Sequence, residues 1–411
     1  KRGTSVMKEK LSSNIKSYLT ANFLLSFSAG VFSMYVGIFL KESGYTEDFV
    51  GNMLSVHTLS TALFSLVGAF LIGQIGSKKS FMLGSLAVFL GFALMGNTVN
   101  PYLLIFAGIL SGLGFSMKST GEAMFLSENS SASQRVLVFS INFTVMNAGF
   151  TSANFFGGLL ANYLSIKIPY IEAILAVIAL GGAFAIVSFI PILTIKQNQI
   201  TKRRNLGQYL VGYKNILANR SALDFLIFNA VIGMGAGMVV PFFSIYLKYA
   251  LDIQDAVVGG ILSFSQFGCV LGGMLIPLMA KKLGEHKSVV VCQLFSIPFL
   301  ISIAFPQGIM FVAISFFMRS SLMNMGTPII QNLGMNLVHP LDRANLSSLM
   351  SLSSNLTRAI GIAIGGYIMH RYDYNTPYYF TVALYLVATV LFIKLYQSEF
   401  LKKSPCPDKV T

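Results

Sequence analysis

Long apolar runs alternate with short polar gaps along almost the whole chain. Each run is close to the ~20 residues that a helix needs to cross the hydrocarbon layer of a bilayer. The predicted helices span residues 17–40, 50–73, 80–97, 102–126, 136–162, 168–193, 222–247, 257–280, 288–305, 308–333, 344–369 and 375–397. The pattern therefore predicts an all-α membrane protein with twelve transmembrane helices.

One gap is longer and more basic than the others. Residues 194–221 carry six Lys or Arg and divide the chain into two six-helix bundles, 17–193 and 222–397. Leu206 to Leu217 mixes apolar and basic positions, which predicts a helix on the membrane surface. Residues 1–16 and 398–411 are predicted cytoplasmic segments. Residues 1–6 precede Met7 and are interpreted as an added segment, so they are left out of the fold prediction.

The two predicted bundles repeat one another in sequence. An offset of 208 residues relates several positions, and an offset of 207 relates others in the first helix of each half. The pairs include Gly76/Gly284, Lys79/Lys287, Arg135/Arg343, Asn147/Asn355, Gly157/Gly365, Gly158/Gly366, Asn22/Asn229 and Lys41/Lys248. Two parallel six-helix repeats predict a binding site at their interface, near the middle of the membrane.

Composition and charge narrow the class of protein further. Hydrophobic residues make up 54% of the 411 residues and charged residues only 11%, against about 25% in soluble domains. A soluble enzyme is therefore excluded. With the N-terminus inside, 21 of the 29 Lys and Arg fall on the inner side and four on the outer side. This asymmetry predicts that both termini are cytoplasmic, and it explains most of the net charge of +14 without nucleic acid.

The repeat, the helix count and the basic central loop resemble the major facilitator superfamily of transporters over nearly the whole chain. In that family the loop between helices 2 and 3 commonly reads Gly-x-x-x-Asp-x-x-Gly-Arg-Arg/Lys. Residues 69–79 read Ala-x-x-x-Gly-x-x-Gly-Ser-Lys-Lys, so Gly76, Lys78 and Lys79 match while Gly73 replaces the Asp. The resemblance implies that these residues, Arg135 and the second-half copies Gly284, Lys287 and Arg343 form inner-gate loops.

A second motif refines the resemblance. The helix 5 signature of antiporters in the family is Gly-x-x-x-Gly-Pro-x-x-Gly-Gly, and residues 149–158 read Gly-x-x-x-Ala-Asn-x-x-Gly-Gly. The small residues are retained and the Pro is absent, which is more similar to a drug exporter than to a sugar importer. Glycines predicted to allow close helix packing are Gly149, Gly157, Gly158, Gly361, Gly365 and Gly366.

Charged residues inside predicted membrane helices are candidates for function, because each costs several kcal/mol unless paired or hydrated. Lys118 and Glu122 lie four apart in helix 4 and can pair on one helix face. Glu122 is interpreted either as a proton carrier that Lys118 and substrate compete for or as half of a static ion pair.

Two arginines lie inside predicted membrane helices of the second half. Arg319 is predicted near the middle of helix 10 and Arg358 in helix 11, and the resemblance places both helices around the central cavity. A planar guanidinium suits a carboxylate or phosphate. The alternative for Arg319 is a latch to helix-end carbonyls or to Glu122. Lys118 and the two arginines outnumber Glu122, which predicts an anionic or zwitterionic group on the substrate.

Several polar residues remain as weaker candidates. His57 in helix 2 is interpreted as a packing histidine or, alternatively, as a proton relay. Asn142 and Asn154 in helix 5 have no Asn counterpart in the repeat and are candidates for the cavity. The repeated Asn pairs are predicted to join helices by hydrogen bonds.

These observations predict a proton-coupled secondary transporter that works by alternating access and exports a small amphiphilic molecule. An alternative is transport of a specific organic anion or an anionic lipid-like substrate. A non-transporting sensor or scaffold is the alternative from another class. No enzyme activity, cofactor or metal is predicted, since the sequence shows no nucleotide-binding motif or metal cluster. We expect a monomer in a bacterial cytoplasmic membrane.

Overall fold

The computed structural model describes residues 11–131, 134–196, 213–214, 216–305, 308–338 and 343–403. Within these ranges the chain forms twelve long helical segments. They are α1 (Ser13–Glu42), α2 (Glu47–Ile75), α3 (Ser77–Asn97), α4 (Pro101–Glu128), α5 (Arg135–Leu164), α6 (Tyr170–Thr194), α7 (Arg220–Ala250), α8 (Asp255–Leu283), α9 (Glu285–Ala304), α10 (Ile309–Met335), α11 (Arg343–Arg371) and α12 (Thr376–Lys403). In the described part of the chain, nine of these segments are long and apolar enough to cross a membrane.

The all-helical membrane fold predicted from the apolar runs is confirmed. Each predicted run overlaps one observed helix, and most helices extend a few residues past the predicted ends. The extensions are polar, as in Arg343–Arg371, because a helix continues into the interface beyond the hydrocarbon layer. The surface helix predicted from Leu206 lies largely outside the described residues.

The sequence repeat is also a repeat of backbone shape. Gly76 ends α2 with φ 82° and Gly284 ends α8 with φ 83°, and each glycine leads directly into the next helix. A residue with a Cβ is strained in this left-handed region, which accounts for glycine at both positions. In each half, the same tight turn therefore joins two successive long helices.

The two halves meet along α2 with α11 and α5 with α8. We call the end of the bundle predicted to face the outside the outer end and the opposite end the inner end. At the outer end a Cβ built on Gly51 would lie 3.0 Å from the Cα of Gly366, and one on Gly158 would lie 2.6 Å from the carbonyl oxygen of Asp255. The backbones of the halves touch there, with no room for a larger side chain.

Toward the inner end α5 and α8 diverge. The stripe of α5 that contains Gly158 and Asn154 continues at helical spacing to Phe143, which is 44% exposed. The stripe of α8 that contains Gly259 continues to Met274, which is 70% exposed. Residues on one face of each helix thus go from contact at the outer end to exposure at the inner end, so these faces of α5 and α8 are not packed against each other there.

Candidate functional site

The N-terminal half holds an ion pair inside its helical bundle. The Nζ of Lys118 lies 3.2 Å from Oε2 of Glu122, and the two side chains are 11% and 20% exposed. The hydroxyl of Tyr18 donates to Oε2 of Glu122 at 2.8 Å, and Nδ2 of Asn142 donates to Oε1 at 2.5 Å. The predicted pairing within α4 is present, and both carboxylate oxygens have partners.

A chain of hydrogen bonds connects this pair to α1 and α5. Nδ2 of Asn22 donates to Oδ1 of Asn142 at 2.7 Å, and Ser26 donates to Oδ1 of Asn22 at 3.2 Å. Sequence reasoning missed Tyr18, although Tyr18, Asn22 and Ser26 recur at four-residue spacing on one face of α1. Asn142, predicted as a cavity residue, lies within this network and joins α1 to Glu122.

The C-terminal half holds its interior charge differently. Arg319 is 4% exposed, its Nη2 donates to the hydroxyl of Tyr385 at 3.2 Å, and its guanidinium carbon lies 5.1 Å from the centre of the Phe243 ring. Its Nε is buried without a hydrogen-bond partner in the described residues. Arg358 in α11 is within electrostatic range of both Arg319 and Tyr385. Among the described residues, Arg319 contacts neither of the partners predicted for it, a helix-end carbonyl or Glu122.

His57 lies within the N-terminal half. Its Nδ1 is 3.2 Å from the carbonyl oxygen of Gly108 and 3.1 Å from Oγ of Ser111, and its ring stacks on Phe32 at 4.1 Å. This enclosure favours the packing interpretation. Asn154 is 8% exposed at the contact with α8, and its Oδ1 is a buried atom without a partner in the described residues.

The predicted gate loops at the inner end mostly contact their own half. Lys78 donates to the carbonyl oxygen of Leu193 at 2.7 Å, and Arg135 donates to that of Ser127 at 3.4 Å. Gly76 and Gly284 form the matched turns described above, and Lys79 and Lys287 follow them in α3 and α9. The side chain of Arg343 lies outside the described residues.

Two clusters that the sequence did not reveal join the halves at the outer end. In the first, Nζ of Lys41 lies 2.6 Å from Oε1 of Glu47, and Tyr374 of the other half donates to the same carboxylate. His370 Nδ1 lies 3.7 Å from Oε2 of Glu47. Burial, with the carboxylate of Glu47 beside it, raises the pKa of Tyr374 above its ordinary value, so its hydroxyl remains a donor.

The second cluster repeats the first with the halves exchanged. Nζ of Lys248 lies 3.3 Å from Oδ1 of Asp255, and Tyr170 of the N-terminal half donates to that oxygen at 3.0 Å. We call the two clusters the outer latches: Lys41, Glu47 and Tyr374, and Lys248, Asp255 and Tyr170. The Lys41/Lys248 match was visible in the sequence, but the tyrosines come from the opposite half.

This arrangement defines a helical membrane protein of two similar halves that are joined at one end, open at the other and charged inside. Comparison with known proteins identifies the family. A sequence profile of the Major Facilitator Superfamily matches residues 18–236 and 225–408. The chain belongs to this superfamily and is a transporter.

Individual relatives are similar at low identity. The chain is 22% identical to the multi-drug resistance efflux pump PmrA of Streptococcus pneumoniae over 69% of this chain and 71% of PmrA. It is 21% identical to the quinolone resistance protein NorA of Staphylococcus aureus over 90% of this chain and 93% of NorA.

Solved structures confirm the fold. The nucleoside transporter NupG superimposes with a TM-score of 0.78 at 14% identity, covering 93% of this chain and 99% of NupG. An inward-facing, unoccupied bacterial homologue of the human lysosomal transporter Spinster superimposes with a TM-score of 0.73 at 14% identity, covering 96% and 98% of the two chains.

Proposed function

We propose that this protein is a proton-coupled secondary transporter that exports a small amphiphilic molecule with an anionic or zwitterionic group. The efflux-pump relatives PmrA and NorA support export. The proposal places the transporter as a monomer in a bacterial cytoplasmic membrane, with both termini in the cytoplasm. The distribution of Lys and Arg supports that orientation.

The observation that carries the proposal is the difference between the two ends of the bundle. The outer latches and the glycine contacts join the halves at the outer end, whereas Phe143 and Met274 are exposed at the inner end. This difference between the two ends supports an inward-facing state. Alternating access requires the halves to rock so that the latches open and the inner ends of α5 and α8 close.

Proton coupling is assigned to Glu122. Its carboxylate is held by Lys118, Tyr18 and Asn142, and its side chain is 20% exposed. A proton arriving on this carboxylate cancels the charge that Lys118 compensates and frees Lys118 from the pair. The proposed coupling is that loss or gain of this pair changes which of the two states is favoured.

Flux measurements test the proposal. The purified full chain is reconstituted into proteoliposomes, a pH gradient is imposed, and transport of norfloxacin, a fluorescent zwitterionic quinolone, is followed. We expect transport against the concentration gradient that stops when a protonophore collapses the pH gradient. Flux that does not depend on the pH gradient would contradict proton coupling, and no flux for quinolones or other amphiphiles would contradict export of this class of substrate.

A second candidate function is transport of a specific organic anion or an anionic lipid-like molecule. Arg319, which is buried, and Arg358 in the same half favour it. Competition of norfloxacin flux by simple organic anions and by lysophosphatidic acid separates these substrates from general amphiphiles.

A further inference from the structure

The interior of the C-terminal half carries positive charge with no acidic residue of its own to balance it. Asp and Glu are absent from residues 225–251, 256–284, 286–341, 343–372 and 374–398. Arg319 and Arg358 both lie within these stretches, and neither belongs to any ion pair recorded in the described residues. Charges inside a membrane-spanning bundle are normally paired or hydrated, so two arginines in this position need an explanation.

The contacts of Arg319 fix its side chain but do not satisfy it. Tyr385 and the face of Phe243 hold one side of the guanidinium, and Nε is left buried without a partner in the described residues. A guanidinium presents donors in a fixed plane, and an oxyanion that accepts from it gains charge-assisted hydrogen bonds. Since Arg319 is 4% exposed, its Nε is already shielded from solvent and held in position before an anion binds.

Arg358, in α11 of the same half, adds a second positive charge. It lies within electrostatic range of Arg319 and of the hydroxyl of Tyr385. Two like charges repel each other in a medium of low dielectric, and an anion between them removes that repulsion. Lys118 carries no such uncompensated charge, because the Glu122 carboxylate 3.2 Å away already neutralises it.

We propose that Arg319, Arg358 and the hydroxyl of Tyr385 form a subsite for the carboxylate or another oxyanion of the transported molecule, in the C-terminal half only. The inference rests on the proposed transport function and deepens it, because it moves the anion site away from Lys118. The apolar part of the substrate then lies toward the space between the halves. Norfloxacin and organic anions share the chemical group that this subsite selects.

Ligand-dependent thermal stability of the full chain in nanodiscs tests the subsite. The probes are 4-phenylbutyrate, 4-phenylbutanol and 4-phenylbutylammonium, which share a skeleton and differ in charge. We expect the anion to stabilise the wild type at concentrations at least about tenfold lower than the alcohol needs, and the cation to have no such effect. Arg319→Gln and Arg358→Gln should each remove this preference, and Arg319→Lys should retain part of it.

The control is Lys394→Gln, which removes an exposed cation from α12 of the same half and should leave the preference unchanged. An anion preference absent from the wild type, or retained in both arginine-to-glutamine variants, overturns the subsite. Loss of stability without ligand does not mimic the result, since the readout is the difference between probes in one variant. Norfloxacin flux of the same purified variants in proteoliposomes separates the two proposals: anion preference without pH-driven flux leaves the subsite standing and rejects proton-coupled transport.

Discussion

The two halves of this transporter share one architecture but hold interior charge in opposite ways. In the N-terminal half Lys118 and Glu122 neutralise each other within a network of polar side chains. In the C-terminal half Arg319 and Arg358 have no carboxylate among the residues recorded around them. The interior charges of the N-terminal half balance each other without a ligand, and those of the C-terminal half do not.

The sequence repeat shows which positions carry this difference in interior charge. The positions 208 residues away from Lys118, Glu122 and Arg319 are Gly326, Ile330 and Ser111, so none of these charges has a charged counterpart. At the outer end the reverse holds, because each half contributes a lysine, an acid and a tyrosine to the latches. The two halves are alike where they must close on each other, and they differ where we place proton coupling and anion binding.

The largest expected effect comes from removing the carboxylate of the N-terminal pair. Glu122→Gln keeps the hydrogen-bonding shape but cannot carry a proton, so pH-driven norfloxacin flux should fall at least about tenfold, as for loss of a proton-transfer group. Exchange of labelled for unlabelled substrate without a gradient should persist. Glu172→Gln, an exposed acid in the first turn of α6, is the control. Unchanged coupling in Glu122→Gln would remove Glu122 from the mechanism.

The next largest expected effect is on the free energy of unfolding, when an interior cation is removed from one half or from the other. Lys118→Leu leaves the Glu122 carboxylate without its counter-ion and should lower the free energy of unfolding by about 3 kcal/mol, the lower end of the range for breaking a buried pair. Arg319→Leu removes a cation without a counter-ion and should be neutral or stabilising. Urea unfolding in mixed micelles without ligand measures both. Equal destabilisation by the two substitutions would show that Arg319 is as well compensated as Lys118.

A smaller effect concerns the latches, where the halves are alike. Tyr170→Phe and Tyr374→Phe each remove one hydrogen bond to a carboxylate, so each should favour opening of the outer end by about 1–2 kcal/mol. Because the latches are related by the repeat, the two substitutions should have similar effects that add. Labelling of single cysteines by a membrane-impermeant maleimide at the outer end reports the opening. An effect of one tyrosine only would mean that a single latch holds the closed end.

The smallest expected effect concerns the N-terminus of the last helix in each half, where α6 and α12 differ. Asp373 accepts from the backbone N–H groups of Asn375 and Thr376, both at 2.7 Å, whereas α6 begins at Pro169 without a side-chain cap. Slight burial raises the pKa of Asp373, but these hydrogen bonds outweigh it and hold the pKa below its usual value.

A carboxylate whose folded pKa is depressed stabilises the protein above its unfolded pKa, and that stabilisation is lost as the pH falls through the folded value. Asp373→Ala should therefore cost about 0.5–1 kcal/mol at neutral pH and progressively less in acid below pH ~4. Unfolding measured across that range checks the sign. A cost that does not shrink in acid would mean that the charge of Asp373 contributes nothing to the cap.

Local patterns in the sequence predicted much of this molecule. The apolar runs gave the helices, the repeat gave the matched turns at Gly76 and Gly284, and the four-residue spacing gave the Lys118–Glu122 pair. Each of these depends on residues that are close in the chain or related by one offset. Their physical cause is contained within a single helix or turn.

The rest depends on partners that are distant in the chain. Tyr374 reaches Glu47 across 327 residues, and Tyr18 reaches Glu122 across 104. The direction of Arg319, whose side chain reaches Phe243 of α7 and Tyr385 of α12, follows from how these helices pack in the C-terminal half. Such contacts are set by helix packing, which no spacing in a single sequence encodes.

One measurement tests alternating access most directly. Spin labels at Phe143 and Met274 report the inner end, and labels at Ile166 and Tyr372, which are 79% and 72% exposed, report the outer end, each pair in a cysteine-free chain in nanodiscs. Double electron–electron resonance is recorded with the outer latches intact and with Tyr170→Phe and Tyr374→Phe combined. Breaking the latches should lengthen the outer distance and shorten the inner one together. An inner distance that stays the same or lengthens while the outer end opens would contradict rocking of the two halves about a central site.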